Sequence, residues 1–157
     1  MLKVGYIGLG WMGKSIARNI LKAGLPLFVH NRSRAAVDEL VAEGAAAASS
    51  PSEVASQADV VFTSLPDSPD VEKVVLGKNG IIEGARAGLI YVDNSTIKPA
   101  SARMIAGKLL ENNVIALDAP VSGGDIGARN GALTIMVGGD ASALERVRPV
   151  LLAMGKT

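Results

Sequence analysis

The sequence predicts an α/β fold: a doubly wound, mostly parallel sheet with helices on both faces. Short apolar runs alternate with longer segments of helical periodicity, and a glycine-rich turn follows the first run. Strands and helices that alternate in this way form parallel sheets, because each helix returns the chain to the same end of the sheet. A length of 157 residues suits one globular domain, so we expect residues 1–157 to form a single unit.

Composition and charge narrow the classes of function. Hydrophobic residues make up 48% of the chain and aromatic residues 3%, which predicts an aliphatic core. Lys plus Arg total 16 and Asp plus Glu total 15, so we expect no nucleic-acid partner, since this needs clustered positive charge. With no cysteine and one histidine, no metal site is expected. No apolar run approaches the ~20 residues that cross a bilayer, and the first strand leaves no room for a leader peptide, so the expected location is cytoplasmic.

The compact apolar runs are predicted to be strands. Each is rich in Val, Ile, Leu or Ala, lies between turn residues and is too short for a stable helix. In chain order they are residues 2–7, 27–31, 45–47, 60–65, 89–93, 114–118 and 133–137. Ligands of parallel α/β sheets bind beyond the carboxyl ends of the strands, so the residues that follow each run are the candidate functional residues.

The segments between and after these runs are predicted to be helices. In the first, apolar residues recur at helical spacing until Gly24 and Pro26 end it. The third is predicted from its entry, with Ser50 as N-cap, Pro51 as first helical residue and Glu53 as capping partner. In chain order the helices are residues 11–23, 33–43, 69–76, 99–112 and 141–154, with the third helix, which begins at residue 51, between the second and fourth. A glycine-rich loop is expected between the last two strands.

The turn after the first strand has the form G-x-G-x-x-G, typical of Rossmann-type dinucleotide-binding folds when a strand precedes it and a helix follows. The first glycine allows the tight turn, the second lets the backbone approach a pyrophosphate, and the third lets the helix pack closely on the sheet. Free N–H groups at the helix N-terminus then stabilise the phosphate charge. The alternative is that the glycines serve only a tight turn. The six residues are Gly8, Leu9, Gly10, Trp11, Met12 and Gly13.

An arginine follows the second strand, where NAD-binding proteins usually carry a carboxylate. The stretch Asn31, Arg32, Ser33 is followed by no acid until Asp38. A carboxylate at this place would repel a 2′-phosphate, whereas an arginine can hold it through two charge-assisted hydrogen bonds, with the two neighbours as additional donors. We therefore expect NADP(H) to be preferred and NAD(H) to remain possible; the alternative is a solvated arginine at the start of the next helix. His30, the single histidine, is expected to be structural.

Later strand ends carry segments that resemble the β-hydroxyacid dehydrogenases, a family that includes 3-hydroxyisobutyrate dehydrogenase, tartronate semialdehyde reductase and the glyoxylate/succinic semialdehyde reductases. The most specific segment is DAPVSGG at residues 118–124, followed by a G-A-x-x-G stretch at residues 127–131. SLPD at 64–67, DNST at 93–96 and LTIMVGG at 133–139 agree with it. The resemblance covers the chain from about residue 3 to its end.

The resemblance implies a role for each matching position. The turn from Gly8 to Gly13 would hold the pyrophosphate, and Asn31, Arg32 and Ser33 match the NADP-preferring version of the family. Further cofactor contacts would be Leu65 and Pro66 along the ribose, Asp70 and Val71 near the adenine, and Ser95 and Thr96 near the nicotinamide.

A loop for the carboxylate of a small substrate is also implied, formed by Ser122, Gly123 and Gly124. The simpler readings stay open: the prolines shape a turn, Ser95 and Thr96 cap the next helix, and the substrate loop is an ordinary turn. Asp93 and Asp118 are expected to be structural anchors, with a role as acid or base as the alternative.

In this family a helical second half supplies the lysine that exchanges a proton with the substrate. The chain ends before such a region would begin, and Lys156 does not match it, so we expect no catalytic residue among these positions and no turnover by this chain alone. The resemblance predicts the NADP(H)-binding domain of an oxidoreductase for a small 3-hydroxy acid or its semialdehyde. The alternatives are a non-catalytic NADP-binding or scaffolding module and an imine-reductase-like domain. Apolar surface on residues 141–154 makes a homo-oligomer possible.

Overall fold

The main sheet contains six strands, and all of its strand pairs are parallel. The strands are β1 (Val4–Ile7), β2 (Leu27–His30), β3 (Ala46–Ala47), β4 (Val60–Thr63), β5 (Ile90–Asp93) and β6 (Ile115–Asp118). Their spatial order in this computed structural model, which describes residues 1–157, is β3-β2-β1-β4-β5-β6. The order reverses beside β1, which is where α/β sheets open a crevice for ligands.

Helices cover both faces of the sheet, so the predicted fold class is confirmed. Successive residues of β4 belong to different apolar clusters: Val60 and Phe62 pack on one side and Val61 on the other. The ring of Phe62 stacks on Tyr6 of β1 with centroids 5.9 Å apart. The helices are α1 (Trp11–Lys22), α2 (Arg34–Ala42), α3 (Pro51–Gln57), α4 (Ser68–Leu76), α5 (Ile81–Gly84), α6 (Pro99–Leu110), α7 (Gly124–Asn130) and α8 (Ala141–Met154).

The entry of α3 follows the predicted capping pattern with one difference. The Ser50 hydroxyl accepts a hydrogen bond from the Glu53 N–H at 3.1 Å, and Pro51 occupies the first helical position, as predicted. The Glu53 carboxylate, however, accepts from the N–H of Ser49 at 2.8 Å rather than from that of the N-cap residue. The reciprocal half of the capping box is therefore displaced by one residue.

A second, small sheet departs from the prediction. It contains β7 (Val121–Ser122), β8 (Leu133–Ile135) and β9 (Gly155–Lys156), so the last predicted strand is shorter than expected and lies outside the main sheet. The glycine-rich loop before β8 contains α7, which the sequence analysis missed because glycine is a poor helix former. Tertiary contacts hold this helix: Gly127 and Ala128 are buried, and the Asn19 side chain donates to the Ala128 carbonyl at 2.7 Å.

The last helix, α8, has the bounds that the sequence predicts. Its Leu152 side chain is exposed, as expected for apolar surface on this segment, while self-association stays a prediction. None of the helices in the structure is both long and apolar enough to cross a membrane.

Candidate functional site

A groove of about 900 Å³ opens at the carboxyl ends of β1, β2 and β4, where the strand order reverses. It brings together three segments that are far apart in the sequence: the glycine-rich turn, the residues after β2 and the residues after β4. The predicted cofactor residues that line it are Gly8, Gly10, Trp11, Met12, Gly13, Asn31, Arg32, Ser33, Leu65, Pro66 and Asp70.

Two of the three glycines of the turn are required by the structure of the chain itself. Gly8 has a φ of +96°, and a Cβ atom built on it would lie 2.1 Å from the carbonyl oxygen of Ser64. A Cβ atom on Gly13 would lie 1.9 Å from the carbonyl oxygen of Gly8. The first glycine is thus required by the turn and the third by close helix packing, which agrees with the roles predicted from the motif.

Gly10 is different, because neither its backbone nor its surroundings require a glycine. Its φ is −70°, and a Cβ atom on it would meet no protein atom within 4 Å. Gly10 lines the groove, so the absence of a side chain leaves room there for a group that comes from outside the chain. A pyrophosphate that approaches the main chain would need such room.

The N-terminus of α1 is suited to an anion. Gly10 is its N-cap and offers no side chain to the first-turn N–H groups, and the first turn contains no acidic residue. The first helical hydrogen bond runs from the Lys14 N–H to the Gly10 carbonyl at 2.9 Å. The preceding N–H groups and the helix dipole therefore remain free to stabilise a phosphate in the groove.

Asn31 fixes the glycine-rich turn to the end of β2. Its Oδ1 atom accepts a hydrogen bond from the Leu9 N–H at 2.9 Å, and its Nδ2 atom donates to the Ser33 carbonyl at 3.1 Å. Leu9 itself is almost completely buried, packs in the core and does not line the groove, and its N–H is already bound by Asn31. The structure thus gives Asn31 a positioning role in addition to the predicted role as a donor.

Three basic side chains line the groove, among them the arginine that is predicted to hold the 2′-phosphate. The Arg32 side chain is 92% exposed, and its Nη2 atom lies 4.0 Å from the Asp70 carboxylate. Lys73 and Lys78 also line the groove, although neither was predicted from the sequence. Lys73 follows Asp70 by three residues on α4, and this spacing on one helix face is the signal that could have identified it.

Ser95, Thr96 and Val71 do not line the groove, although the resemblance assigns them to the cofactor. Ser95 is buried at the end of β5, and its hydroxyl accepts a hydrogen bond from the Leu65 N–H at 2.8 Å. Thr96 is exposed one residue further along. Val71 is fully buried on the face of α4 that packs in an apolar cluster of the core.

The predicted substrate loop lies next to the small sheet. Ser122 ends β7, and Gly123 and Gly124 follow it with positive φ values of 132° and 61°. All three residues are exposed, and none of them lines the groove.

Asn94 joins this region to the main sheet, a role that the sequence analysis did not assign. Its Oδ1 atom accepts from the Tyr6 hydroxyl at 3.0 Å, and its Nδ2 atom donates to the Ala119 carbonyl at 2.9 Å. The buried amide therefore ties β1 to the segment between β6 and the substrate loop.

Asp93 organises the end of β5. Its Oδ1 atom accepts hydrogen bonds from the Thr63 hydroxyl at 2.8 Å and from the Ser95 N–H at 2.9 Å. Burial raises the pKa of the Asp93 carboxyl above its ordinary value, although these hydrogen bonds lower it in part. The contacts agree with the predicted anchoring role. His30 also has a structural contact, between its Nδ1 atom and the Ala48 carbonyl at 3.1 Å.

Comparison with known proteins identifies the family of this fold and groove. A family model described as the NAD binding domain of 6-phosphogluconate dehydrogenase matches residues 3–157. The chain belongs to this family.

Relatives of this NAD-binding domain confirm the resemblance to the hydroxyacid dehydrogenases. The chain is 47% identical over 156 residues to the NAD-dependent L-serine dehydrogenase of Pseudomonas aeruginosa. The matching region covers 99% of this chain and 52% of that protein. The chain therefore spans about half the length of the curated relatives it matches.

Solved structures agree with this assignment. Mycobacterium tuberculosis 3-hydroxyisobutyrate dehydrogenase with L-serine superimposes with a TM-score of 0.92 at 35% identity, over 99% of this chain and 52% of that one. Psf3 in complex with NADP+ and 2-OPP gives a TM-score of 0.93 at 35% identity, over 98% of this chain and 55% of that one. An imine reductase from Streptomyces aurantiacus also matches, at 29% identity and a TM-score of 0.87, over 99% of this chain and 54% of that one. This NAD-binding domain is thus of the hydroxyacid dehydrogenase type and has imine reductases among its structural neighbours.

Proposed function

We propose that this NAD-binding domain takes NADP(H) in the groove and holds the 2′-phosphate at Arg32. The observation that carries the proposal is the pairing of two features: space free of protein atoms beside the Gly10 backbone at an uncapped helix N-terminus, and an exposed arginine on the same groove. The first feature suits a pyrophosphate and the second suits a phosphate on the adenosine ribose.

The remaining predicted cofactor residues are assigned to places along the groove or behind its surface. Leu65 and Pro66 would lie along the ribose, and Asp70 would lie near the adenine. Ser95 and Thr96 would lie toward the nicotinamide, where the buried hydroxyl of Ser95 positions Leu65 through the hydrogen bond to its N–H. Val71 would support the adenine end from the core, since its side chain does not reach the groove surface.

The reaction proposed for the protein that contains this domain is hydride transfer between NADP(H) and a small 3-hydroxy acid or its semialdehyde. The nicotinamide supplies or accepts the hydride when the cofactor is bound. Ser122, Gly123 and Gly124 would bind the substrate carboxylate through a hydroxyl and backbone N–H groups. The names of the relatives support this class of substrate, since one is a dehydrogenase of L-serine and another of 3-hydroxyisobutyrate. The proton would be exchanged by the lysine that the family carries in its helical half.

Cofactor preference can be tested with the chain itself. Trp11 is the only tryptophan and lines the groove, so its fluorescence reports cofactor binding directly. We expect the wild-type chain to bind NADPH more tightly than NADH, and Arg32→Ala to weaken NADPH about ten- to a hundredfold, as expected when a hydrogen bond to a charged group is lost. NADH affinity should change little, because its ribose carries no phosphate.

A matched control is Arg34→Ala, which removes a neighbouring exposed arginine that pairs with Asp38 on the surface of α2. This variant should leave both affinities unchanged. If Arg32→Ala binds NADPH as tightly as the wild type and the Arg34→Ala control do, the assignment of the 2′-phosphate to Arg32 is wrong.

The substrate class needs a separate assay. NADPH oxidation would be followed with glyoxylate, succinic semialdehyde and a cyclic imine, for this chain and for any longer product of the same gene. Turnover of the two carbonyl acids by the longer product supports the proposed reaction. Turnover of the imine alone would favour the imine-reductase alternative, and cofactor binding without turnover in either form would favour a non-catalytic module.

A further inference from the structure

A second cavity, of about 330 Å³, lies between α6 and the carboxyl ends of β5 and β6. Small residues leave this space open: Ala102 and Ala106 on α6, Ala116 on β6, and the Gly138–139 turn. The cavity shares no lining residue with the cofactor groove. It is therefore a separate feature, and neither the family assignment nor the proposed function explains it.

A buried carboxylate with an unused oxygen lines this cavity. Asp93 is only 3% exposed, and both of its described hydrogen bonds, from Thr63 and Ser95, are made to Oδ1. The Oδ2 atom is buried and has no hydrogen-bond partner. A buried acceptor without a partner is unfavourable unless a donor reaches it, so the geometry leaves one hydrogen-bond position free.

Asp118 adds a second carboxylate to the same cavity. Asp118 is exposed, yet partial desolvation raises its pKa, and its charge adds a small influence to the burial that raises the pKa of Asp93. Neither carboxylate takes part in any of the ion pairs of the chain. Arg103 lines the cavity too, but it is exposed and lies within ion-pair distance of neither. Asp93 and Asp118 are register partners on the parallel strands β5 and β6, so their carboxylates are neighbours that no cation of the chain pairs with.

The rest of the wall is mostly apolar. Ile97, Pro99 and Ile105 line it together with the small residues named above, and Tyr91 is its only aromatic residue. A ligand that suits this lining has a cationic donor at one end and a short hydrocarbon chain at the other.

We propose that this cavity binds a small alkylammonium compound, with its cationic group between Asp93 and Asp118 and its hydrocarbon chain against α6. The ammonium would donate to the free Oδ2 atom of Asp93 and offset the repulsion between the two carboxylates. A neutral donor of the same shape would satisfy the first requirement and not the second, which gives the proposal a direct test.

The test is an NMR titration of the ¹⁵N-labelled chain with n-butylammonium chloride, with 1-butanol as the uncharged analogue. We expect saturable shifts of backbone amides in α6 and at the ends of β5 and β6, and much weaker effects of 1-butanol. Asp118→Asn should weaken butylammonium binding about ten- to a hundredfold. Asp38→Asn, which neutralises an exposed carboxylate on α2, should leave it unchanged.

A second variant keeps the test independent of charge. Ala106→Leu places additional side-chain atoms in the cavity and should abolish the shifts while the remaining spectrum stays that of the folded chain. The proposal is overturned if 1-butanol binds as tightly as butylammonium, if the shifts survive in Asp118→Asn and Ala106→Leu, or if no saturable shift occurs. A parallel titration uses Nα-acetyl-lysine methylamide, which represents a lysine side chain of a peptide. The proposal is also overturned if this compound binds and butylammonium does not.

Discussion

The Oδ1 atom of Asn31 accepts a hydrogen bond from the backbone N–H of Leu9 at 2.9 Å, across 22 positions of the sequence. This contact joins the end of β2 to the glycine-rich turn after β1, so the segment that carries Arg32 has a fixed position relative to the segment proposed to bind the pyrophosphate. Asn31 therefore helps to set the distance between the pyrophosphate subsite and the 2′-phosphate subsite of the proposed NADP(H) site.

Replacement of Asn31 should affect both cofactors. In Asn31→Ala the nearly buried Leu9 N–H loses its acceptor, which should lower the free energy of unfolding by about 1–3 kcal/mol. The turn would also be less well fixed, so NADPH and NADH should both bind more weakly. Asn31→Asp keeps an acceptor and should recover most of the stability. Urea denaturation together with cofactor titration checks this, and an unchanged unfolding midpoint for Asn31→Ala would contradict it.

Substitutions at two glycines of one turn should separate folding from binding. Gly8→Ala forces a positive φ on alanine and places Cβ against the Ser64 carbonyl, so it should destabilise the fold by at least roughly 1–3 kcal/mol. Gly10→Ala meets no protein atom and should reduce stability by less than about 1 kcal/mol, as a change at an N-cap position. It should nevertheless weaken cofactor binding at least about tenfold, because its Cβ would fill the space needed by the pyrophosphate.

Thermal denaturation and Trp11 fluorescence distinguish these outcomes. Normal cofactor affinity in Gly10→Ala would show that the space beside this residue is not the phosphate site.

Much of this site follows from the sequence, because strand ends and turn motifs are local patterns. The G-x-G-x-x-G turn predicts its own position at the end of β1, and the residues after β2 and β4 reach the same groove because parallel strands end at one edge. The parts that were missed depend on tertiary contacts. Lys78 lies beyond the end of α4, and only the fold brings it to the groove.

The same reason explains the errors in secondary structure. Helix α7 contains glycines that have low helix propensity, and it forms because the helix packs against α1 with Gly127 and Ala128 buried and because Asn19 binds its carbonyl groups. The strand at residues 133–135 has the apolar pattern of a main-sheet strand, but it pairs with β7 and β9. The apolar pattern does not specify the partner of a strand.

The carboxylate of Asp70 should reduce the preference for NADPH. It lies 4.0 Å from the Arg32 guanidinium and lines the same groove, so it competes for the arginine and repels a nearby phosphate. Asp70→Asn should tighten NADPH about two- to fivefold, the range expected for a solvent-screened ion pair. NADH affinity should be nearly constant. Parallel titrations with both cofactors measure the ratio, and a lower NADPH:NADH preference in the variant would contradict this role for Asp70.

The buried carboxyl of Asp93 should make stability depend on pH. Burial raises its pKa in the folded chain above that in the unfolded chain. Its favourable contribution is therefore complete below the unfolded value of about 3.9 and is lost as the pH rises through the folded value. Asp93→Asn has no such ionisation, so the wild type should lose stability relative to this variant as the pH rises from about 4.

Comparison of the two proteins isolates this effect from groups of opposite sign. The pKa of Asp140 is lowered by hydrogen bonds from the Ser142 hydroxyl and the Ala143 N–H, and this group contributes equally in both. Urea unfolding at several pH values provides the measurement. A difference in unfolding free energy that stays constant with pH would mean that the pKa of Asp93 is not raised by folding.

The measurement that tests the central claim most directly is a crystal structure of the chain grown with saturating NADPH. The groove proposed as the cofactor site should then hold the pyrophosphate over the turn from Gly8 to Gly13 and the 2′-phosphate within hydrogen-bond distance of the Arg32 guanidinium. A well-ordered structure in which this groove is empty, or in which the 2′-phosphate lies away from Arg32, would contradict the proposal.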